Sequence, residues 1–357
     1  MGFWDPALWL PRDVEWHRIP PQFKDLIYPI YLAIPLVIVR ILWESFVGVP
    51  LGYMLGYYGN KSKLQYLVTD HLFGGFARNS RPKRVLECFW RFSYYLMAFI
   101  YGCIVLWDKS WLWDVKECWI GYPFHPVPNS IWWYYTIETS FYYSLLIASA
   151  FIDVRRSDFW QLIIHHFVTI GLLATSWTIN FVRVGTLVLI SHDVADILLE
   201  GGKLTRYDRN KKTLTNVAFV VFLIGWIITR LGYYPFILIR SALFEAANLI
   251  QPDYDLLDFT EVPYVPRFII LLLTILLGLH VLWTFLIYRV VVKVLTQGAA
   301  GDVRSDSDSD SENNVQETRK KLLKKTKKSN DTSTDSDDED VQKDSHASSR
   351  RRRVRRE

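Results

Sequence analysis

Three cysteines in 357 residues (Cys88, Cys103 and Cys118) exclude a disulfide framework, because at most one bridge can form. No Gly-x-Ser-x-Gly elbow occurs, and no cysteine has a catalytic-looking setting, so neither residue type is the expected nucleophile. Histidine is scarce, at eight, which leaves too few for a His-rich di-iron centre. The N-terminus lacks a basic stretch followed by an apolar one, so no cleaved signal peptide is expected. Pro6 breaks the myristoylation pattern, and Val354–Glu357 is neither a prenylation box nor a retention tetrapeptide. With these anchors missing, the first long apolar run is expected to be its own insertion signal.

What abounds is apolar and aromatic. Half of the residues are hydrophobic, including 15 Trp, 20 Tyr and 21 Phe. They fall into runs of about 20, the length that crosses a hydrocarbon core of roughly 30 Å. The expected fold is all-α, a polytopic membrane protein with spans near 26–47, 86–107, 131–151, 159–178, 182–200, 214–238 and 267–292. Arg230 and Pro235 lie in the sixth, which should be broken or tilted. Lys and Arg concentrate in 48–85, 152–158 and 201–213, which puts these connections in the cytosol, the N-terminus in the lumen and the tail in the cytosol. Trp107, Trp111, Trp113, Trp119, Trp132 and Trp133 crowd the opposite side, as an interfacial belt does. Residues 299–357 alternate acidic serine runs with basic runs and have too little apolar surface to order themselves.

Ionisable groups inside such spans are costly and therefore mark function. His165 and His166 lie in the fourth run, and His192, Asp193 and Asp196 in the fifth. Counted from their cytosolic ends, His165 is roughly 9 Å deep and His192 roughly 11 Å, at 1.5 Å per residue. Antiparallel neighbours joined by a short turn bring the two sets to one level. Thr169 and Asp158 share a stripe with His165, and Glu200 lies seven residues after Asp193. Three readings fit. The groups act as polar glue between helices, or two His and an Asp hold one metal, or they perform acyl transfer without a metal. A neutral His can take the proton of an amine or attack a thioester, with an Asp holding its tautomer. His280, alone in the last span, is read as polar glue that hydrogen-bonds across helices, and is set aside from the site.

The ordered motifs Asp153-Val-Arg-Arg-Ser-Asp-Phe159, His165-His-x-x-Thr169, Asn180-x-x-Arg183-x-Gly185-Thr-Leu187 and His192-Asp-x-x-Asp-x-x-Leu-Glu200 resemble the signature of the ceramide synthases, within the Lag/TLC membrane superfamily. Cys88-Phe-Trp-Arg-Phe-Ser-Tyr-Tyr95, Tyr122-Pro-Phe124 and Thr229–Phe236 agree, and the likeness runs from Trp43 to Val294. The resemblance implies N-acylation of a sphingoid base by a fatty acyl-CoA in the endoplasmic reticulum membrane. It implies His165, His166, His192, Asp193 and Asp196 as the catalytic set, with no metal and no cofactor beyond the acyl-CoA co-substrate. A non-catalytic lipid sensor of the superfamily and a metal-dependent lipid hydroxylase are the alternatives. Many animal members carry a homeobox-like domain between the first two spans, but 48–85 offers only 38 positions, too few for it. The organisation is therefore 1–25 lumenal, 26–85 first span and basic connection, 86–298 TLC domain and 299–357 tail.

Substrate-binding candidates are Asn180, Arg183, Glu200, Arg155, Arg156 and Lys203. Arg155, Arg156 and Lys203, with Arg206 and Lys211, ring the expected cytosolic mouth and could hold the coenzyme's phosphates; Arg183 is a head-group ligand or a snorkelling arginine. The lumenal connection 241–266 is where the resemblance places acyl-length preference. Expected partners are acyl-CoA, sphingoid base, membrane lipids, a second protomer of the same or a related chain, and a casein kinase 2 type kinase acting on tail serines such as Ser305 and Ser336. Nucleic acid is not expected.

Overall fold

The structure is a computed structural model that describes residues 2–58, 63–155, 157–207 and 212–297. The expectations for Lys61, Arg156, Arg209 and Lys211, and those for the tail 299–357, lie outside the described residues. Seven long helices appear among the described residues: α1 Phe23–Met54, α2 Arg81–Leu106, α3 Asn129–Phe151, α4 Phe159–Thr178, α5 Val182–Tyr207, α6 Lys212–Ile250 and α7 Val265–Gln297. Length and apolarity alone qualify α1, α2, α4, α6 and α7 to cross a membrane. The other two, α3 and α5, are long enough but dilute their apolar residues with the polar ones that matter below.

Local chemistry sets the helix ends. Ser80 caps α2 by accepting from the Lys83 amide at 3.3 Å, with Pro82 in the first turn. The turn after α4 closes with Asn180 in the left-handed region (φ 64°), and the Phe181 amide reaches back to the Ser176 carbonyl at 2.7 Å. That reversal makes α4 and α5 the antiparallel pair the sequence led one to expect. The sixth helix departs from expectation. It ends at Ile250, not near 238, because the backbone of Ile227–Ile239 and Ser241–Glu245 widens into π turns that accommodate Pro235. Ser241–Ile250, read from sequence as the start of a loop, is therefore helical.

Packing follows the order α3, α4, α7, α6, α5, α2 and back to α3, while α1 lies along α3. The outward faces are apolar, as at Ile34 and Ile38 of α1, Val220 and Ile224 of α6, and Leu271 and Leu282 of α7. The interior carries the polar groups instead, among them Glu138, His166, His192, Asp193, Arg230 and His280. At one place a side chain packs directly on a backbone: a side-chain carbon on Gly185 would meet the Tyr135 hydroxyl at 2.5 Å, and that hydroxyl also hydrogen-bonds Ser176. So α3, α4 and α5 converge at that level.

Candidate active site

His192 is the best defined of the candidate groups. One turn earlier on its own helix, the Val188 carbonyl lies 2.7 Å from its Nδ1. A carbonyl can only accept, so Nδ1 carries the hydrogen and Nε2 keeps its lone pair. Nε2 is buried and has no protein partner. The ring stands edge-on to Tyr234 at 5.2 Å and 5.1 Å from the ring of His280. His280, set aside from sequence, thus belongs to the cluster.

Arg230 of α6 organises this level. It donates to the Asp196 carboxylate at 3.1 Å, to the His192 carbonyl at 3.0 Å and to Nε2 of His280 at 3.2 Å, while almost wholly buried. One guanidinium therefore ties α5, α6 and α7 together, and Asp196 is its ion-pair partner. Asp193 differs: it is completely buried, and neither carboxylate oxygen has a partner. Glu138 of α3 is in the same condition. Leaving buried polar atoms unpaired costs roughly 1–3 kcal/mol each, and more for charges. Tyr142, one turn after Glu138, faces His165 at a ring separation of 6.4 Å, and Trp283 of α7 faces it at 5.3 Å. The rings of His165 and His166 lie 5.7 Å apart, and each Nδ1 is unpartnered.

An apolar cavity starts at this cluster. It contains about 1180 Å³ of non-atom space, part of it open, and is lined by Tyr142, Thr169 and His192 at its inner end. From there it runs past Leu173 and Leu189 to Ala246, Ile250, Tyr254 and Trp9. Of the proposed catalytic set, His192 lines it directly, while His165 and His166 lie on the neighbouring turns of α4 around Thr169.

The proposed substrate-binding residues separate into two groups. Asn180 and Arg183 sit at the end of the bundle where α4 turns into α5. The Asn180 amide donates to the carbonyls of Pro123 and His125 at 2.7 and 3.0 Å. Arg183 donates to the Glu117 carbonyl at 2.8 Å and lies over the Trp111 ring. Both thereby hold the 114–128 connection in place. Glu200 and Lys203 sit at the opposite end, paired at 2.8 Å, with Arg91 of α2 also on Glu200 at 3.1 Å. Arg155 is exposed there, over the Phe159 ring.

That opposite end holds a charged network the sequence reading did not mention. Arg40 bonds Glu44 at 2.7 Å and Asp153 at 2.5 Å; Lys83 lies 3.1 Å from Glu44 and 3.7 Å from Glu87; Arg91 reaches Asp153 at 3.5 Å. His71, from the helix Leu64–Leu72 in the α1–α2 connection, lies 3.2 Å from Glu44. The network clamps Asp153, first residue of the motif before α4, to both α1 and α2. Charges inside apolar runs at Arg40, Glu44, Glu87 and Arg91 were the available signal, as were Glu138 and Arg230 for the site.

The model of the TLC domain matches residues 84–289. "Ceramide synthase hyl-1" of Caenorhabditis elegans is 60% identical over 309 residues, covering 85% of this chain and 84% of that protein. The chain belongs to the ceramide synthases of the TLC-domain family. "Ceramide synthase hyl-2" of the same nematode is 41% identical over 86% of the chain and 94% of its own length. Human "Ceramide synthase 5" is 34% identical over 85% of the chain and 86% of its own length. The matched TLC domain takes in the whole cluster, from Glu138 on α3 to His280 on α7, so the candidate site lies within the segment that defines the family.

Proposed function

We propose that this chain joins the acyl group of a fatty acyl-CoA to the amine of a sphingoid base, giving ceramide or dihydroceramide and free coenzyme A. The observation that carries the reading is His192: a tautomer set by Val188, with an unpartnered Nε2 on the wall of an apolar cavity. The amine nitrogen attacks the thioester carbonyl carbon, the carbon–sulfur bond breaks, and the thiolate leaves as the coenzyme's thiol. Nε2 of His192 accepts the proton the attacking amine loses and returns it to the departing thiolate; such a base is typically worth 10²–10⁴-fold. Asp193, a buried carboxylate without a partner, meets the incoming ammonium and takes one proton from it, so that a neutral amine reaches the thioester. Asp196 and Arg230 orient the His192 backbone, and His165 and His166 complete the catalytic set beside the thioester.

The acyl tail lies in the cavity, and the coenzyme's nucleotide stays at the opposite end, where Arg155 and Lys203 meet its phosphates. In this reading the protein resides in the endoplasmic reticulum membrane, N-terminus lumenal and tail cytosolic. No metal takes part, and among the described residues no three His, Cys, Asp or Glu side chains group as a metal would require. The test is purified protein in detergent with sphinganine and acyl-CoA, with and without a strong chelator. Amide and free thiol should appear in equal amounts in both samples. No amide from any acyl-CoA overturns the reading, and activity abolished by chelator and restored by metal overturns its metal-free chemistry.

A further inference from the structure

The chain's own N-terminal segment lines the far end of the cavity. Residues 3–19 fold into an aromatic knot outside the spans: Trp4 stacks on Trp9 at 5.3 Å, Trp9 contacts Trp16 at 6.0 Å, and Trp4 contacts Phe23 at 4.6 Å. Backbone carbonyls satisfy the indoles, with Trp9 donating to Phe3 at 2.7 Å and Trp16 to Trp4 at 2.9 Å. The knot is docked. Leu10 is completely buried, the Tyr264 amide donates to the Leu8 carbonyl at 2.8 Å, and Trp177 at the end of α4 donates to the Gln22 carbonyl at 3.2 Å. Trp9 and Pro11 form part of the cavity wall, beside Ile250 and Tyr254. His192 is ten residues from the start of α5, so roughly 15 Å of helix separates the base from this end.

An acyl chain bound with its thioester at His192 points at that floor. We infer that Trp9 and Pro11 set the longest acyl chain the synthase accepts, as specificity-determining residues that touch the terminal carbons of the substrate. This rests on the acyl-transfer reading and adds to it a residue pair far from the reacting atoms and outside the matched TLC domain. The physics is steric and hydrophobic. Each methylene that gains apolar burial favours binding about fourfold, whereas a methylene driven into an indole is rejected.

The experiment offers the full-length protein a mixture of saturated acyl-CoAs and reads amide products by mass spectrometry. Trp9→Ala and Trp9→Leu should shift the profile upward, so that chains two carbons longer than the parent's best gain on the order of tenfold in relative use. A parallel measurement uses the parent protein and an acyl-CoA carrying a terminal diazirine. Irradiation should label residues 3–19, with Trp9 and Pro11 foremost. An unchanged profile from active variants overturns the inference. Where the variants give no amide, the label decides: attachment to α6 and α7 with none in 3–19 overturns it, and attachment to 3–19 upholds it. A parent that makes no amide from any acyl-CoA instead counts against the proposed function.

Discussion

The charged cluster around Glu44 and the polar cluster around His192 draw on the same residue types, yet they are finished differently. At Glu44, every carboxylate and cation has an opposite charge within reach: Arg40 with Glu44 and Asp153, Lys83 with Glu44 and Glu87, Arg91 with Asp153 and Glu200. At His192, one such pair exists, Arg230 with Asp196, while Asp193, Glu138 and Nε2 of His192 are left without protein partners. Burial is similar in both places, so desolvation does not distinguish them. Charge pairing does: at Glu44 each charged side chain has an opposite partner and only single atoms such as Arg40 Nη1 stay open, a network finished at the level of whole groups, whereas at His192 whole carboxylates are unpaired and the network is unfinished.

The largest expected effect comes from the unfinished side. Asp193→Asn keeps the shape and removes the charge, and it should lower amide turnover by at least about 10²-fold while leaving the thermal midpoint in detergent unchanged or higher. Equal turnover with a lowered midpoint would make Asp193 a structural group and erase the contrast. Next comes Glu44→Gln on the finished side. It takes from Arg40 and Lys83 one of the two acids each has, leaving them Asp153 and Glu87, which should cost up to about 3–5 kcal/mol of stability, read as a lowered midpoint, with turnover per folded molecule changing less than for Asp193→Asn. A neutral midpoint would show that the network contributes nothing to cohesion.

The smallest effect concerns His125, a buried group whose ring nitrogens are also unpartnered, but which lies outside the spans. Burial, with the nearby Arg183 guanidinium adding to it, pushes its pKa down to about 4 from an ordinary 6.5. Between those values the unfolded chain binds a proton that the folded one refuses, so stability falls as pH drops from about 6.5 to 4 and is unaffected above. His125→Phe should abolish that acid sensitivity, worth on the order of 3 kcal/mol at pH 4, and leave neutral-pH midpoint and turnover alone. Lost turnover at pH 7 would mean that missing partners signal chemistry even here.

The spans were legible because twenty apolar residues in a row have few other uses. The end of α6 was not, since Pro235, Arg240 and Glu245 look like terminators, and only the structure shows π turns carrying the helix past them. The motif residues on α4 and α5 were legible because a short turn fixes their relative depth. Glu138, Arg230 and His280 were not placed with them, because depth along non-adjacent helices depends on tilt and on long connections that a count of residues does not supply. His280 shows the limit well: one histidine in an apolar run reads as polar glue until its ring is found 5.1 Å from another.

The Glu44 network also orders events in time. Arg91 precedes Glu200 by 109 residues, and Arg40 precedes Asp153 by 113. At a synthesis rate of about 5–20 residues per second, Arg91 is made roughly 5–20 s before Glu200, and Arg40, which Glu44 can meet at once, as long before Asp153. During that interval Arg91 lacks Glu200 and Arg40 lacks Asp153, so the contacts that tie α1 and α2 to the rest of the bundle cannot yet form. Asp153 and then Glu200 complete these pairs, so the network can be whole only after the chain has been made as far as α5.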